Sequence, residues 1–353
     1  MSGRQNTPPS VRLPDGRRKT PPSAPRRTVR DRLGSLTITV VGIALVAATI
    51  AATIVLTRPT HPAALGPPDR SGAPAAAPIR VRLPAKPGSY LGVYERGVPH
   101  SYAPVEAFAH AIGRQPNVVL YFSKWDDPFQ AGFAEQARAH NAVPFVQMEP
   151  WTTTMAAIAA GRSDAYLTSY ARAVAAYRYP VLLGLGHEMN GNWYPWGWTH
   201  VSPAVWVAAW RHVVTVFRRA GARNVTWVWT ANVEGPGDGP LRAFWPGRRY
   251  VTWVGITGYV YFPGETYVRN YRPTIRAVRR FAHRPILISE TAVGQVAGQT
   301  AKIPGLFSLI RGFRLLGFVW FDVAQNSGPY HQNWRLEGHP AAVRTFRRAL
   351  SRY

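Results

Sequence analysis

The chain contains no cysteine, which excludes disulfides, thiolate metal sites and a cysteine nucleophile. Acidic residues are scarce: 17 Asp and Glu stand against 42 Lys and Arg, for a formal net charge of +25. No Gly-rich phosphate loop follows the first apolar run of the folded part, and no Ser-His-Asp pattern stands out. Zinc-finger, basic-zipper and RNA-recognition signatures are also missing, so the positive charge does not read as nucleic-acid binding. Its distribution agrees. Residues 1–87 carry 14 Lys and Arg against 3 acids, whereas residues 88–353 carry 28 against 14, mostly arginine spread over many expected helices, with pairs such as Arg218-Arg219 and Arg347-Arg348 that suit solvated helix faces. Such a surface suits anionic cell-wall polymers as a secondary partner.

Four segments follow from composition. Residues 1–35 are rich in Arg, Pro, Ser and Thr, with too little apolar surface to fold, and are expected to be a disordered tail. The 21 residues Leu36–Leu56 carry no charge, the length needed to cross a bilayer, so a transmembrane signal anchor is expected over 36–57. Nine Lys and Arg precede it, which puts the N-terminus in the cytoplasm and the rest outside. Cleavage near Ala73–Ala77 would instead release a secreted form. Residues 58–87 read as a Pro/Ala-rich spacer, and 88–353 as the folded domain.

Eight apolar runs punctuate that domain: 90–94, 117–122, 143–148, 180–186, 224–229, 253–259, 285–289 and 317–321. Helical patterns separate them, most clearly Ser202–Ala220, with a capping serine, Pro203 in the first turn and an apolar stripe through Val205, Ala209, Val213 and Phe217. Further helices are expected near Pro104, Phe129, Asp164, Tyr271, Ile303 and Pro340, and one short turn at Leu241–Trp245. Eight such units predict an α/β fold, a closed (β/α)8 TIM barrel. An open doubly wound sheet is the runner-up.

In such a barrel the chemistry lies at the C-terminal ends of the strands. His187 and Glu188 follow the fourth run, and Glu290 the seventh. The third leads to Glu149 and Trp151, the second to Trp125, the sixth ends at Tyr259, and the eighth holds Trp320 and Asp322. Two carboxylates facing each other across the mouth suit glycosidic cleavage, in which one protonates the leaving oxygen and the other attacks the sugar. A zinc-protease reading of His187-Glu188 fails because Gly191 stands where a second His is needed. No metal or cofactor is expected. Thirteen tryptophans exceed what a core needs, so some, among Trp193, Trp196 and Trp198 above all, are expected to stack on sugar.

The segment Gly186-His187-Glu188-Met189-Asn190-Gly191-Asn192-Trp193-Tyr194-Pro195-Trp196-Gly197 resembles the acid/base signature of glycoside hydrolase family 26, which holds the β-mannanases. Trp253–Ile256 leading to Tyr259, Pro285–Thr291, and Phe318–Asp322 followed by Trp334-Arg335 resemble its sixth, seventh and eighth strands, in the family's order. The resemblance implies a retaining double displacement with Glu188 as general acid/base and Glu290 as nucleophile. The charge of Glu290 across the cleft is expected to raise the proton affinity of Glu188. The resemblance also implies that Tyr259 holds Glu290, that His187 supports the site, and that Trp320 floors the sugar at the cleavage point. Trp193, Trp196, Asn190, Trp151 and Trp125 complete the expected substrate contacts. Thr252 and Thr257 depart from the family, which often has Asp there, and bear on mannan specificity. The expected substrate is a β-linked polysaccharide (mannan first, then mixed-linkage β-glucan or β-1,3-xylan), acted on by a monomer. The alternative is a non-catalytic carbohydrate-binding or wall-organising protein on the same barrel.

Overall fold

The computed structural model describes residues 83–325 and 332–353. The expected tail 1–35, the span 36–57 and all of the spacer up to residue 82 lie outside the described residues. Among the described residues no helix is long and apolar enough to cross a membrane.

Eight parallel strands close in sequence order into a barrel, β1 (Tyr90–Pro99), β2 (Val118–Lys124), β3 (Val143–Glu149), β4 (Val181–Leu185), β5 (Val225–Asn232), β6 (Trp253–Thr257), β7 (Ile286–Thr291) and β8 (Gly317–Asp322). Helices α1 (Ala103–Ile112), α2 (Ala131–Ala139), α3 (Met155–Ala159), α4 (Asp164–Tyr177), α5 (Pro203–Arg219), α6 (Tyr267–Arg279), α7 (Gln299–Phe313) and α8 (Pro340–Leu350) lie between and after them. A 3-10 turn at Leu241–Phe244 is the whole of the helical structure between β5 and β6. The barrel and its helix order are those expected from the eight runs; the short α3, capped by Thr154 through Ala157 N, is an addition to them.

Local chemistry explains the helices. In α5, Ser202 Oγ accepts from Val205 N at 3.4 Å and Pro203 occupies the first turn. Such a cap is worth about 1 kcal/mol. Trp206, Ala209, Trp210, Val213 and Phe217 form its buried face, and Gly221 beyond its end has φ +85°. That left-handed conformation costs glycine little and most other residues more.

Period-two alternation along the strands separates two cores. Val118, Leu120, Phe145, Leu182, Val228, Trp253, Leu287 and Val319 point into the barrel and fill it, with Tyr90 and Trp253 rings 5.0 Å apart. Their neighbours Val119, Val146, Leu183, Trp227, Val254, Ile288 and Phe318 pack outward under the helices. Burying one such side chain contributes about 1.5–3 kcal/mol. Above the apolar plug lies a polar layer. Gln147 Nε2 donates to Thr230 Oγ1 at 2.9 Å, in space left free by Gly184, where a Cβ would stand 2.9 Å from Gln147 Cδ and 3.0 Å from Val228 O. A second glycine, Gly255, makes room for Thr230 and Ser289. This layer supports the strand ends that carry the site.

Candidate active site

Glu188 follows β4 in a turn that begins at Gly186, φ +51°, and is itself left-handed at φ +56°. A non-glycine residue held there stores about 1–3 kcal/mol and persists only when its surroundings fix it. They do so at the backbone, where Glu188 N donates to Thr230 O at 2.9 Å and Gly191 N donates to Glu188 O at 3.0 Å. They also do so at the carboxylate. Oε1 accepts from Asn232 Nδ2 at 2.8 Å and from Thr257 Oγ1, and Oε2 accepts from Trp193 Nε1 at 2.7 Å.

Glu290, on β7, is buried and accepts from the Tyr259 hydroxyl at Oε1. Its backbone lies beside Thr257 in the β6–β7 pairing, at a bulge, while Thr257 also touches Glu188. Thr257 thus links the two residues, bonding the Glu188 carboxylate and pairing in the sheet with Glu290. Burial pushes the Glu290 carboxyl up to about 8; the Glu188 charge adds to the rise, Tyr259 opposes it, and Glu149 adds a little more. Burial and the charge of Glu290 drive the Tyr259 phenol well above its ordinary range, so it remains a donor. The sequence puts the raised proton affinity on Glu188; burial puts a raised one on Glu290.

His187 is buried beside Glu188, its Nε2 3.2 Å from Tyr194 Oη and 4.0 Å from Glu149 Oε1. Trp193, Trp151 and Trp198 are the expected aromatics that reach the surface, at 45%, 48% and 37% exposure, and Trp198 donates to Gly237 O at 3.1 Å. Trp151 is steadied by donating to Glu149 Oε2 at 3.0 Å.

Four expected substrate contacts are located elsewhere. Trp320 is 0% exposed. It points outward from β8, packs on Phe346 of α8 and donates to Asp322 Oδ1 at 2.9 Å. Strand alternation is the reason: Val319 and Phe321 face inward, so the aromatic lining the mouth is Phe321, stacked on Tyr94 at 4.9 Å and edge-on to Tyr259 at 5.8 Å. Trp196 is fully buried, stacked on Tyr194 at 4.5 Å, and donates to His187 O at 2.7 Å; it anchors the loop. Asn190 is buried and bonds Asn232 at both backbone atoms, 2.9 and 3.1 Å, which aims Asn232 at Glu188. Trp125 is buried against Tyr166 of α4.

Asn232 and Phe321 join the site without having been expected there. Both lie at strand ends, and inward parity is the signal that could have found them. Thr257, in sequence only a departure from the family, touches the Glu188 carboxylate directly, whereas Thr252, expected to bear on specificity with it, precedes β6 at the opposite end of the barrel and accepts from Trp227 N at 3.2 Å. One further acidic group is also new: Glu95, Asp322 and Glu337 bring carboxylate oxygens within 4.8 Å of one another behind β1 and β8, a spacing that would suit a cation. Burial and mutual repulsion raise Glu95 to about 8 and Asp322 well above its usual range, so shared protons satisfy the group equally well.

A closed (β/α)8 barrel with two buried carboxylates at its C-terminal rim has the architecture of a glycoside hydrolase. The chain belongs to glycosyl hydrolase family 26, whose model matches residues 159–336. It is 28% identical over 270 residues to Endoglucanase H of Acetivibrio thermocellus, a match covering 72% of this chain and 29% of that protein. The chain thus spans less than a third of that relative's length. In fold it is similar to the mannanase man26 of Bacillus subtilis, with TM-score 0.55, 16% identity, and coverage of 73% of this chain and 85% of that one. It is also similar to a GH26 β-mannanase of Bacteroides ovatus, with TM-score 0.53, 15% identity, and coverage of 66% and 78%.

Proposed function

We propose that the protein hydrolyses a β-linked polysaccharide with retention of configuration. The observation that carries this reading is the pair Glu188 and Glu290 at the strand ends, each carboxylate held by its own donors and the charge of Glu188 acting on Glu290. Glu290 is the nucleophile: it attacks the anomeric carbon while Glu188 gives its proton to the departing glycosidic oxygen. Water, deprotonated by Glu188, then releases the sugar from Glu290. Tyr259 donates to Glu290 and holds one oxygen away from the attacking one. Trp193 and Trp151 offer exposed ring faces for sugar units beyond the cleavage point.

Mannan and β-glucan are the two backbones to separate. The fold relatives named above are mannanases, and the relative in sequence is named an endoglucanase. Incubating the protein with β-mannan, mixed-linkage β-glucan and β-1,3-xylan, then assaying reducing ends and the anomer released first, tests the reading. Turnover of one of them with the β-anomer appearing first is expected. Binding without any new reducing ends would favour a carbohydrate-binding role instead.

Trp193 gives a finer test. Trp193→Phe keeps the ring but loses the donor to Glu188, a charge-assisted bond worth about 1.5–3 kcal/mol. A fall of about 10–100-fold in kcat with KM little changed is expected from steady-state kinetics. Trp193→Ala should raise KM as well.

We also propose that the enzyme is tethered by its uncharged run at Leu36–Leu56 with the barrel on the outer face of the membrane; the arginines ahead of that run support this orientation.

A further inference from the structure

At the end of the barrel opposite the carboxylates lies a cavity of about 770 Å³. Five arginines line it: Arg218 and Arg223 around the α5–β5 turn, Arg248 and Arg249 ahead of β6, and Arg284 ahead of β7. Among the described residues no Asp, Glu or Lys lines it, and none of the five takes part in an ion pair with a described acid. Two of the guanidinium groups are steered by main-chain carbonyls, Arg284 by that of Arg248 and Arg218 by that of Arg249. A carbonyl orients a guanidinium without neutralising it. Arg284 Nε is buried with no hydrogen-bond partner. Burial and the neighbouring Arg248 pull the Arg284 guanidinium below its ordinary range.

The Arg248 and Arg284 guanidinium groups repel each other, and a buried donor without a partner is costly. A structure that keeps both has a use for them when an anion supplies the missing partner. Leu83 and Ala85 enter the same cavity, and residues 74–82 immediately ahead of them contain no acid and two arginines, so that stretch brings more positive charge and no anion. The side-chain chemistry narrows the choice. Arginine forks bind tetrahedral phosphate oxygens in pairs, and lysine, the commoner point-charge binder, is absent from the lining.

We infer that this arginine cavity is a binding site for a phosphate group, either free or carried as the diester of an anionic glycerolipid headgroup. The site is independent of the catalytic reading, because it lies at the other end of the strands and uses none of the same residues. A diester ligand would orient the barrel with its mouth away from the surface that bears the headgroup.

The test uses the full chain in a non-ionic detergent, titrated calorimetrically with inorganic phosphate in one arm and glycerophosphoglycerol in the other, at constant ionic strength. Saturable binding with a Kd of about 1 mM or tighter is expected in at least one arm. Preference for the diester identifies a headgroup, and preference for inorganic phosphate a free anion. Arg284→Gln with Arg248→Gln should weaken binding at least about tenfold. Because Arg284 also caps a carbonyl, the rim pair Arg223→Gln with Arg249→Gln provides a second variant that leaves the buried group intact. The control removes the same charge from α6, as Arg272→Gln with Arg276→Gln, and should bind as the parent does. Hydrolytic activity should be unchanged in all three. Absence of saturable binding in both arms overturns the inference, as does equal weakening by the α6 control, which would reduce the effect to net charge.

Discussion

Glu290→Ala is expected to lower polysaccharide hydrolysis by a factor on the order of 10³–10⁵, with the folded state retained. The alanine removes the atom that forms the glycosyl bond, so no substrate can bypass the loss. Glu188→Ala should be equally damaging on a polysaccharide but not on every substrate. A sugar alkoxide is a poor leaving group and needs the proton that Glu188 supplies; the anion of an acidic phenol leaves without one. With a dinitrophenyl glycoside, Glu188→Ala should therefore form the covalent intermediate at nearly the parent rate. It should then stall, because the same carboxylate is missing when water must be activated. The expected record is a burst of one phenolate per enzyme followed by slow turnover. Glu290→Ala should give no burst with either substrate. Retention of more than about a tenth of the parent activity by Glu290→Ala would end the two-carboxylate mechanism, and a burst from that variant would reverse the two roles.

These outcomes depend on which face of each strand a residue occupies, and that is where the sequence is least legible. The barrel itself is plain because both faces of its strands are buried, so eight nearly continuous apolar runs stand out between helical patterns. Continuous apolar runs hide the alternation that tells inward from outward residues, however. Trp320 and Phe321 are adjacent aromatics, and only the strand register shows that Phe321 lines the mouth while Trp320 packs on α8. Asn232 is hidden for a related reason. The fifth apolar run ends at Trp229, whereas β5 continues to Asn232, whose amide reaches Glu188. The loop after β4 shows a third limit. Trp193 and Trp196 sit three residues apart in one aromatic segment, but one is exposed and bonds the Glu188 carboxylate while the other is buried and bonds a carbonyl. Loop residues of the same type are sorted by the path of the backbone. Here that path is set by contacts such as Trp198 N to Gly191 O at 3.0 Å, which no local pattern encodes.

Glu290→Gln should make the protein more stable than the parent at pH 8 and indistinguishable from it near pH 4.5. The Glu290 carboxyl is raised from 4.5 to about 8 by burial and by Glu188. Between those values the folded chain holds a proton that the unfolded chain has released. The folded state therefore binds more protons, and the free energy of unfolding falls as pH rises through this window. Each tenfold gain in proton affinity on folding corresponds to about 1.4 kcal/mol, and relaxation around an ionised carboxylate reduces the whole to about 2–4 kcal/mol at pH 8. Glutamine has the same shape, can still accept from Tyr259 and never ionises, so it removes this loss. In thermal unfolding the variant should gain on the order of 5 °C over the parent at pH 8, and the gap should close as pH falls. Glu95 and Asp322, raised for similar reasons, tilt both curves in the same direction and cancel in the difference. A gap that is the same at both pH values would mean that Glu290 ionises as freely in the folded chain as in the unfolded one. If the gap opens with pH as expected, the group whose charge is needed to attack the sugar is also one the fold is destabilised by keeping charged. Hydrolysis and stability then make opposite demands on a single oxygen pair, and the Tyr259 hydroxyl beside it reduces the conflict by favouring the charged form.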